Sequence, residues 1–118
     1  MSSKCDSIDA QFSISWTHRF RCTSNAFTLD SPLAEVIQDL QPMKLLVVID
    51  QGLHRANKNL FTLVEQWLTT VEVESCSSLI VAGGEEAKND SQVVDLVLEE
   101  INTNRLCRKS CVLVIGGG

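Results

Sequence analysis

The stretch "KLLVVID", residues Lys44–Asp50, decides the fold. Five consecutive apolar residues stand between a lysine and an aspartate. A strand that covers one face of a sheet alternates apolar and polar residues, whereas a continuous apolar run is typical of a strand buried on both faces. The run therefore predicts an inner strand of a parallel sheet with helices on either side.

The chain after this strand repeats the same theme. The segment "NKNLFTLVEQWLTT" (57–70) has apolar residues at helical spacing, with Asn57 as a possible cap. A second strand, "SSLIVAGG" (77–84), a second amphipathic helix, "NDSQVVDLVLEEINTNR" (89–105), and a third strand, "SCVLVIGGG" (110–118), follow. This order predicts an α/β fold with a Rossmann-like βαβαβ parallel sheet and right-handed crossovers. The apolar face of the second helix is expected to consist of Val93, Val94, Val97, Leu98 and Ile101.

The chain before the sheet has two patterned segments. "QFSISWTHRFRCT" (11–23) alternates apolar and polar residues, which predicts one half-buried strand or two strands joined by a bend, a β-hairpin-like segment. Trp16 and His18 fall on its apolar face and are expected to be structural. "LDSPLAEVIQDL" (29–40) predicts a short helix that Asp30 or Ser31 can cap.

The amino-acid composition limits the classes of protein to which the chain can belong. The 118 residues predict one domain, and 44% hydrophobic residues suffice for a core. The formal charge of −5 argues against a nucleic-acid surface, because acidic residues repel phosphates. No apolar window approaches a membrane span, and residues 1–10 lack a signal-peptide pattern. We expect a cytoplasmic protein without a membrane partner, in which a flexible N-terminus (1–10) precedes a domain over 11–118.

The cysteines and histidines predict no catalytic or metal centre. None of the five cysteines forms a C-x-x-C pair, so reduced thiols are expected. His18 and His54 are far apart in sequence without metal-ligand spacing, and no nucleophile has a recognisable base. We expect His54 to be a solvated loop residue and Trp67 to lie in the core.

The carboxyl ends of the three strands carry the candidate ligand residues, because ligands of open α/β sheets bind beyond these ends. An aspartate at the first strand end can accept hydrogen bonds from both ribose hydroxyls, or it can simply cap a helix. Glycines at the second and third ends permit close approach to a phosphate, or they form solvated turns. The candidates are Asp50, Gln51, Gly52, Gly83, Gly84, Glu85, Glu86, Lys88, Gly116, Gly117 and Gly118.

Three segments, taken together, are more specific than these general patterns. "KLLVVIDQGL", "IVAGGEEAKND" and "LCRKSCVLVIGGG" occur in this order and at this spacing. The combination resembles the N-terminal nucleotide-binding domain of the 3-dehydroquinate synthase family, the sugar-phosphate cyclases, over residues 11–118. Within that family it looks most similar to a bacterial dehydroquinate-synthase-like branch.

The resemblance implies an NAD site at the strand ends. It implies that Asp50, Gln51 and Gly52 line the adenosine side. Gly83, Gly84, Glu85, Glu86, Ala87 and Lys88 match the second NAD-contacting segment, and Gly116, Gly117 and Gly118 match the start of the pyrophosphate turn. It also implies a phosphorylated seven-carbon sugar substrate, a divalent metal (zinc or cobalt) and a homodimer for the full-length enzyme.

The family's metal ligands lie in a C-terminal domain that follows the glycine turn, so the resemblance implies a truncated N-terminal domain without cyclase activity and with weak NAD binding. An uncovered sheet face is expected to make the domain prone to association. Two other interpretations stay open. One is the N-terminal domain of a metal-dependent polyol or alcohol dehydrogenase, and the other is a non-catalytic α/β binding module.

Overall fold

Strand β1 (Lys44–Asp50) is the centre of a three-stranded parallel sheet in the order β2-β1-β3. The computed structural model describes residues 6–84 and 91–116. The other elements are α1 (Pro32–Leu40), α2 (Gln51–Ala56), α3 (Leu60–Leu68), β2 (Ser75–Val81), α4 (Ser91–Thr103) and β3 (Cys111–Ile115). The predicted α/β class and the parallel sheet are therefore confirmed.

The burial of β1 follows from its central position. All five residues from Leu45 to Ile49 are buried, as the continuous apolar run predicts. Lys44 to Asp50 pair with Ser75 to Val81 of β2, and Leu45 to Ile49 pair with Cys111 to Ile115 of β3. Backbone groups on both sides of β1 are thus satisfied, and its side chains meet protein on both faces.

Helices cover the two faces of the sheet. Leu45, Val47 and Ile49 belong to a core cluster that includes Val64 and Trp67 of α3. The intervening residues of β1 point to the other face, because side chains alternate along a strand.

Helix α4 covers that second face. The Lys44 Nζ atom, which lies on the same face as Leu46, donates hydrogen bonds to the carbonyls of Asn104 (3.0 Å) and Arg105 (3.4 Å), just past the end of α4. The connection with α3 and the connection with α4 therefore lie on opposite faces of the sheet.

Ser31, one of the two predicted caps, is the N-cap of helix α1. The Ser31 hydroxyl accepts the N–H of Ala34 at 3.1 Å and donates to the carbonyl of Ala26 at 2.6 Å. Pro32 follows at the first helical position. The helix ends where Gln41 adopts a left-handed conformation (φ 46°), and the Gln41 N–H donates to the carbonyl of Ile37.

Two predictions about the loop after β1 are wrong. A short helix, α2, follows β1 directly, and Asn57 ends α2 rather than beginning the next helix. Helix α3 starts at Leu60, and its N-cap residue Asn59 makes no side-chain capping bond. The side chain of Asn57 instead accepts the N–H of Asn59 at 3.2 Å, so it organises the turn between the two helices.

The predicted strand or hairpin over residues 11–23 is absent from the structure. These residues have neither helical nor strand conformation. Trp16, expected in the core, is 87% exposed, and His18 is exposed as well. Period-2 alternation fits a strand, but a strand also needs a partner for its backbone, and the described residues provide none here. Residues 6–10 are likewise exposed, and residues 1–5 lie outside the described part.

The predicted apolar face of α4 is only partly correct. Val93, Val97 and Ile101 are half-buried, whereas Val94 and Leu98 are 54% and 56% exposed. The described residues thus cover only the stripe of α4 that carries Val93, Val97 and Ile101. Within residues 6–84 and 91–116, no helix combines the length and apolar character that a membrane crossing requires.

Candidate functional site

Asp50 is the last residue of β1 and the N-cap of α2. Its carboxylate oxygen Oδ1 accepts the N–H of Gly52 at 2.9 Å. The helix-capping interpretation of Asp50 is therefore correct for one oxygen. Among the described residues this is the only hydrogen bond of the carboxylate, so Oδ2 is available for a further donor.

The second strand brings Gly83 against the same carboxylate. Asp50 pairs with Val81 at the end of β2, and Gly83 follows two residues later. A Cβ atom on Gly83 would lie 2.6 Å from Cγ and Oδ1 of Asp50 and 2.8 Å from Oδ2. A side chain at this position would therefore have to displace the Asp50 carboxylate, so glycine is favoured here by direct contact. Gly84 differs, because its φ of +64° is a left-handed conformation that glycine adopts without strain.

The third strand ends on the other side of β1. Ile115 pairs with Ile49, so Gly116 follows the pair at the level of Asp50. Apart from its chain neighbours, no atom of residues 6–84 and 91–116 lies within 4 Å of the position of a Cβ on Gly116, so these residues leave space beside its backbone. The structure therefore brings three predicted residues, one from each strand end, to one edge of the sheet: Asp50, Gly83 and Gly116.

This edge also contains the topological switch point of the sheet. The chain runs from β1 to β2 on one side and then crosses back over β1 to reach β3. The two connections lie on opposite faces, and in open α/β sheets ligands bind where such connections diverge, here beyond the carboxyl ends of β1 and β3. The strand order 2-1-3 opens one of the two common doubly wound orders.

Two more predicted residues, Gln51 and Gly52, directly follow Asp50 in the first turn of α2. Gln51 is half-buried in the first turn of α2, and Gly52 is exposed beside it. The predicted Glu85, Glu86, Ala87 and Lys88, and the predicted Gly117 and Gly118, lie outside the described residues.

His54 is the residue of this region that the sequence interpretation missed. It was expected in a solvated loop, but it lies in α2, and its ring meets Phe61 edge to face with centroids 5.8 Å apart. Its buried Nδ1 atom has no hydrogen-bond partner within the part of the chain that the structure describes. The available signal was Asp50 itself, since an aspartate directly after a strand is also a strong N-cap and so indicates a helix.

The titratable groups of the described residues do not form a metal centre. No group of three or more His, Cys, Asp or Glu side chains in residues 6–84 and 91–116 could hold a metal ion. The divalent metal implied by the resemblance therefore has no ligand set among these residues, and they support no chemical step through it. The described cysteines Cys22, Cys76, Cys107 and Cys111 are free thiols.

A cavity of about 340 Å³ lies away from this edge. It lies between the C-terminal end of α1 and the turn after α3, and its lining includes Ile37, Gln41, Pro42, Trp67 and Val71. These residues belong to the opposite, amino-terminal end of the sheet. We therefore base the candidate site on the geometry of the strand ends rather than on this cavity.

Comparison of the chain with protein-family models, with curated proteins and with solved structures finds no match. The class that the fold defines is a mixed α/β protein with a three-stranded parallel sheet. Its resemblance to the sugar-phosphate cyclases rests on the sequence segments alone.

Proposed function

We propose that the chain binds NAD at the carboxyl edge of its sheet, as the Rossmann-like nucleotide-binding part of a 3-dehydroquinate-synthase-like sugar-phosphate cyclase. The observation that carries the proposal is the convergence of Asp50, Gly83 and Gly116 at the switch point of the sheet. An acidic side chain and two glycines from three adjacent strand ends are the residue types that ribose and phosphate groups require.

Each group has a separate role in this proposal. The Gly52 N–H holds Oδ1 of Asp50 in place, so Oδ2 can accept a ribose hydroxyl without loss of the helix cap. Gly83 allows the carboxylate to lie against the backbone of the neighbouring strand end. The described residues leave space beside the backbone of Gly116, where a pyrophosphate can approach.

NAD chemistry would supply a hydride acceptor in the parent enzyme, whereas the described residues of this chain only bind and orient. No described side chain is placed as an acid or base toward a substrate. The proposal for the chain itself is therefore nucleotide binding, and the cyclase reaction with a phosphorylated seven-carbon sugar is proposed for the parent enzyme.

The test is thermal unfolding with increasing NAD. A ligand that binds only the native state stabilises it by RT ln(1 + [L]/Kd), about 2.7 kcal/mol at one hundred times Kd. We expect a concentration-dependent rise in Tm with NAD and with ADP-ribose, and a smaller one with inorganic phosphate. An unchanged Tm at millimolar NAD would contradict the proposal and favour a non-nucleotide α/β module.

Two substitutions at Asp50 separate ribose binding from helix capping. Asp50→Asn keeps an N-cap acceptor but removes the charge, and Asp50→Ala removes both. If Asp50 binds ribose, both variants lose the NAD-dependent rise in Tm, although only Asp50→Ala loses stability without ligand. If Asp50→Asn shows the same NAD-dependent rise in Tm as the wild type, Asp50 acts only as a helix cap.

The alternative interpretation, a metal-dependent polyol or alcohol dehydrogenase, is distinguished from a cyclase by its substrate. A phosphate-release assay with seven-carbon sugar phosphates and an NADH absorbance assay with polyols distinguish the two classes in the parent enzyme. For the 118-residue chain alone we expect neither activity. Turnover of a sugar phosphate by the isolated chain would contradict that expectation.

A further inference from the structure

The turn between α4 and β3 concentrates positive charge in a chain that is acidic as a whole. Three of the ten lysines and arginines of the chain, Arg105, Arg108 and Lys109, fall within residues 105–109. All three are exposed, and residues 101–116 contain no acidic residue. Since the formal charge of the chain is −5, this surface, which we call the basic turn, differs in sign from the average of the molecule.

A fourth cation lies beside the basic turn. The Nζ atom of Lys44 donates to two carbonyls at the C-terminal end of α4, at 3.0 and 3.4 Å. The positive charge acts on a neighbouring group, the thiol of Cys107. Its pKa is lowered by hydrogen bonds from the Lys109 N–H and the Ser110 hydroxyl, and also by the charges of Lys44 and Lys109.

The basic turn has no internal counter-charge in the described part of the chain. Within residues 6–84 and 91–116, none of its three basic side chains forms an ion pair. Glu100, the last acidic residue before the turn, instead accepts the side-chain amide of Asn104 at 3.0 Å. Exposed cations without an internal partner attract anions from solution.

Arg105 has a backbone conformation that glycine adopts more readily. Its φ is 55°. The N–H of Leu106 donates to the carbonyl of Ile101, and the N–H of Arg105 donates to the carbonyl of Asn102, so α4 ends in a Schellman motif. Glycine is the usual residue at this position, because a side chain in the left-handed region costs stability. An arginine here weakens the cap, and residues that keep such strain cluster at functional sites.

An apolar side chain lies next to the basic turn. The N–H of Met43 donates to the carbonyl of Lys109 at 2.9 Å, and Met43 is 45% exposed. On the other side of Met43, the N–H of Glu74 donates to the Met43 carbonyl at 2.8 Å. The amino-terminal end of the sheet is therefore basic beside β3, apolar at Met43 and acidic beside β2.

This arrangement favours a narrow acidic partner over an extended polyanion. Residues 101–116 contain no aromatic residue on which a nucleic-acid base could stack. Membrane recognition uses clusters of about four to eight basic residues, and a flat anionic surface would also meet Glu74. An acidic peptide segment can follow the basic turn alone and place an apolar residue on Met43.

We propose that the basic turn is a docking surface for an acidic segment of another protein. Carboxylates of the segment pair with Arg105, Arg108 and Lys109, and an apolar residue of the segment contacts Met43. The surface lies at the end of the sheet opposite to Asp50, so the partner leaves the proposed nucleotide edge open.

The primary measurement is the fluorescence anisotropy of a short labelled peptide in which glutamates surround one leucine. We expect saturable binding at low ionic strength that weakens as salt is added. Arg108→Gln/Lys109→Gln should raise the peptide Kd about fivefold, since two exposed ion pairs are lost. The matched control, Arg55→Gln/Lys58→Gln, removes two exposed cations elsewhere and should leave the Kd within about twofold.

Arg105→Gly tests whether the strained arginine serves binding. Glycine relieves the left-handed strain, so Tm should rise by about 2–4 °C while the peptide Kd increases. Gln41→Gly is the control, because Gln41 is the other non-glycine residue with positive φ in the described chain. This variant should also gain stability, but its peptide Kd should stay within about twofold of wild type.

Five results would overturn the proposal. The first is no peptide binding at low ionic strength, and the second is an equal loss of affinity in the two double variants. The third is equal binding of a peptide with glutamines in place of the glutamates. The fourth is an Arg105→Gly variant that gains stability with unchanged affinity. The fifth is tighter binding of an RNA oligonucleotide, a phosphatidylserine vesicle or a second copy of the chain through the same three residues.

Discussion

The carboxylate of Asp50 rests against the backbone of Gly83, close enough that a Cβ on Gly83 would lie 2.6 Å from its Cγ. This contact joins the ends of two adjacent parallel strands. The N–H of Gly52 also donates a hydrogen bond to this carboxylate. One side chain thus connects the end of β1, the start of α2 and the loop after β2, which are the segments from which the candidate site is built.

The contact predicts the effect of Gly83→Ala. The added methyl group must displace the Asp50 carboxylate, which weakens the cap of α2. Overpacking of this kind costs about 1–3 kcal/mol of unfolding free energy. Gly116→Ala is the matched control, because its Cβ meets no atom within 4 Å among the described residues beyond its chain neighbours. Urea unfolding should show a lower midpoint for Gly83→Ala and a change within about 0.5 kcal/mol for Gly116→Ala, and equal midpoints would contradict the contact.

The central part of the fold could be predicted from the sequence because its signals are local and mutually consistent. The apolar run of β1 allows burial on both faces. Ser31 before Pro32 favours a helix start through its local backbone geometry and hydrogen bonding. The candidate site could be predicted for the same reason, because the carboxyl ends of parallel strands lie at one edge of the sheet. Asp50 and Gly83 were therefore both expected at this edge, whereas their direct contact depends on the strand order and on side-chain geometry.

The missed features depend on partners that are distant in sequence. The alternation over residues 11–23 predicts which side chains share a face, but it contains no information about where a partner strand lies. Val94 and Leu98 fit an apolar helix face, yet their burial depends on the width of the sheet beneath α4. Helix α2 was missed because six residues are too short for a periodic pattern.

Lys44 is predicted to stabilise the end of α4. Its ammonium group donates to two carbonyls at the C-terminal end of the helix, where the helix dipole favours a positive charge. Lys44→Met keeps the aliphatic stem and removes these bonds, at a cost of about 1–2 kcal/mol. Lys58→Met at an exposed turn is the control. If both variants unfold at the same urea concentration, the Lys44 contact does not stabilise the fold.

Ser31 is predicted to be the most sensitive cap. Its hydroxyl makes two hydrogen bonds while the residue is only 3% exposed, so no water can replace them. Ser31→Ala should lower the unfolding free energy by about 1–2 kcal/mol. Ser24→Ala, at an exposed position before the helix, should change it by less than about 0.5 kcal/mol. Circular dichroism melts of the two variants compare them directly, and a Ser31→Ala melt equal to wild type would contradict the cap.

Cys107 is predicted to be a more reactive thiol than Cys76 and Cys111. The backbone N–H of Lys109 and the hydroxyl of Ser110 donate to its sulfur, and Lys44 and Lys109 add positive charge, so the pKa of Cys107 lies below its ordinary value. Burial raises the pKa of Cys111, and burial together with Glu65 raises the pKa of Cys76. The thiolate is the nucleophile, so at neutral pH Cys107 has the largest reactive fraction of these three.

The measurement is the rate of iodoacetamide labelling at each cysteine as a function of pH, followed by peptide mass spectrometry. Because a lower pKa keeps the thiolate populated to lower pH, the rate of Cys107 should begin to fall at a lower pH than the rates of Cys76 and Cys111. Ser110→Ala removes one donor and should move the Cys107 profile toward higher pH. Arg108→Gln, which changes a side chain that does not contribute to this pKa shift, is the control and should leave the profile in place. A Cys107 profile that coincides with that of Cys111 would show that the turn does not stabilise the thiolate.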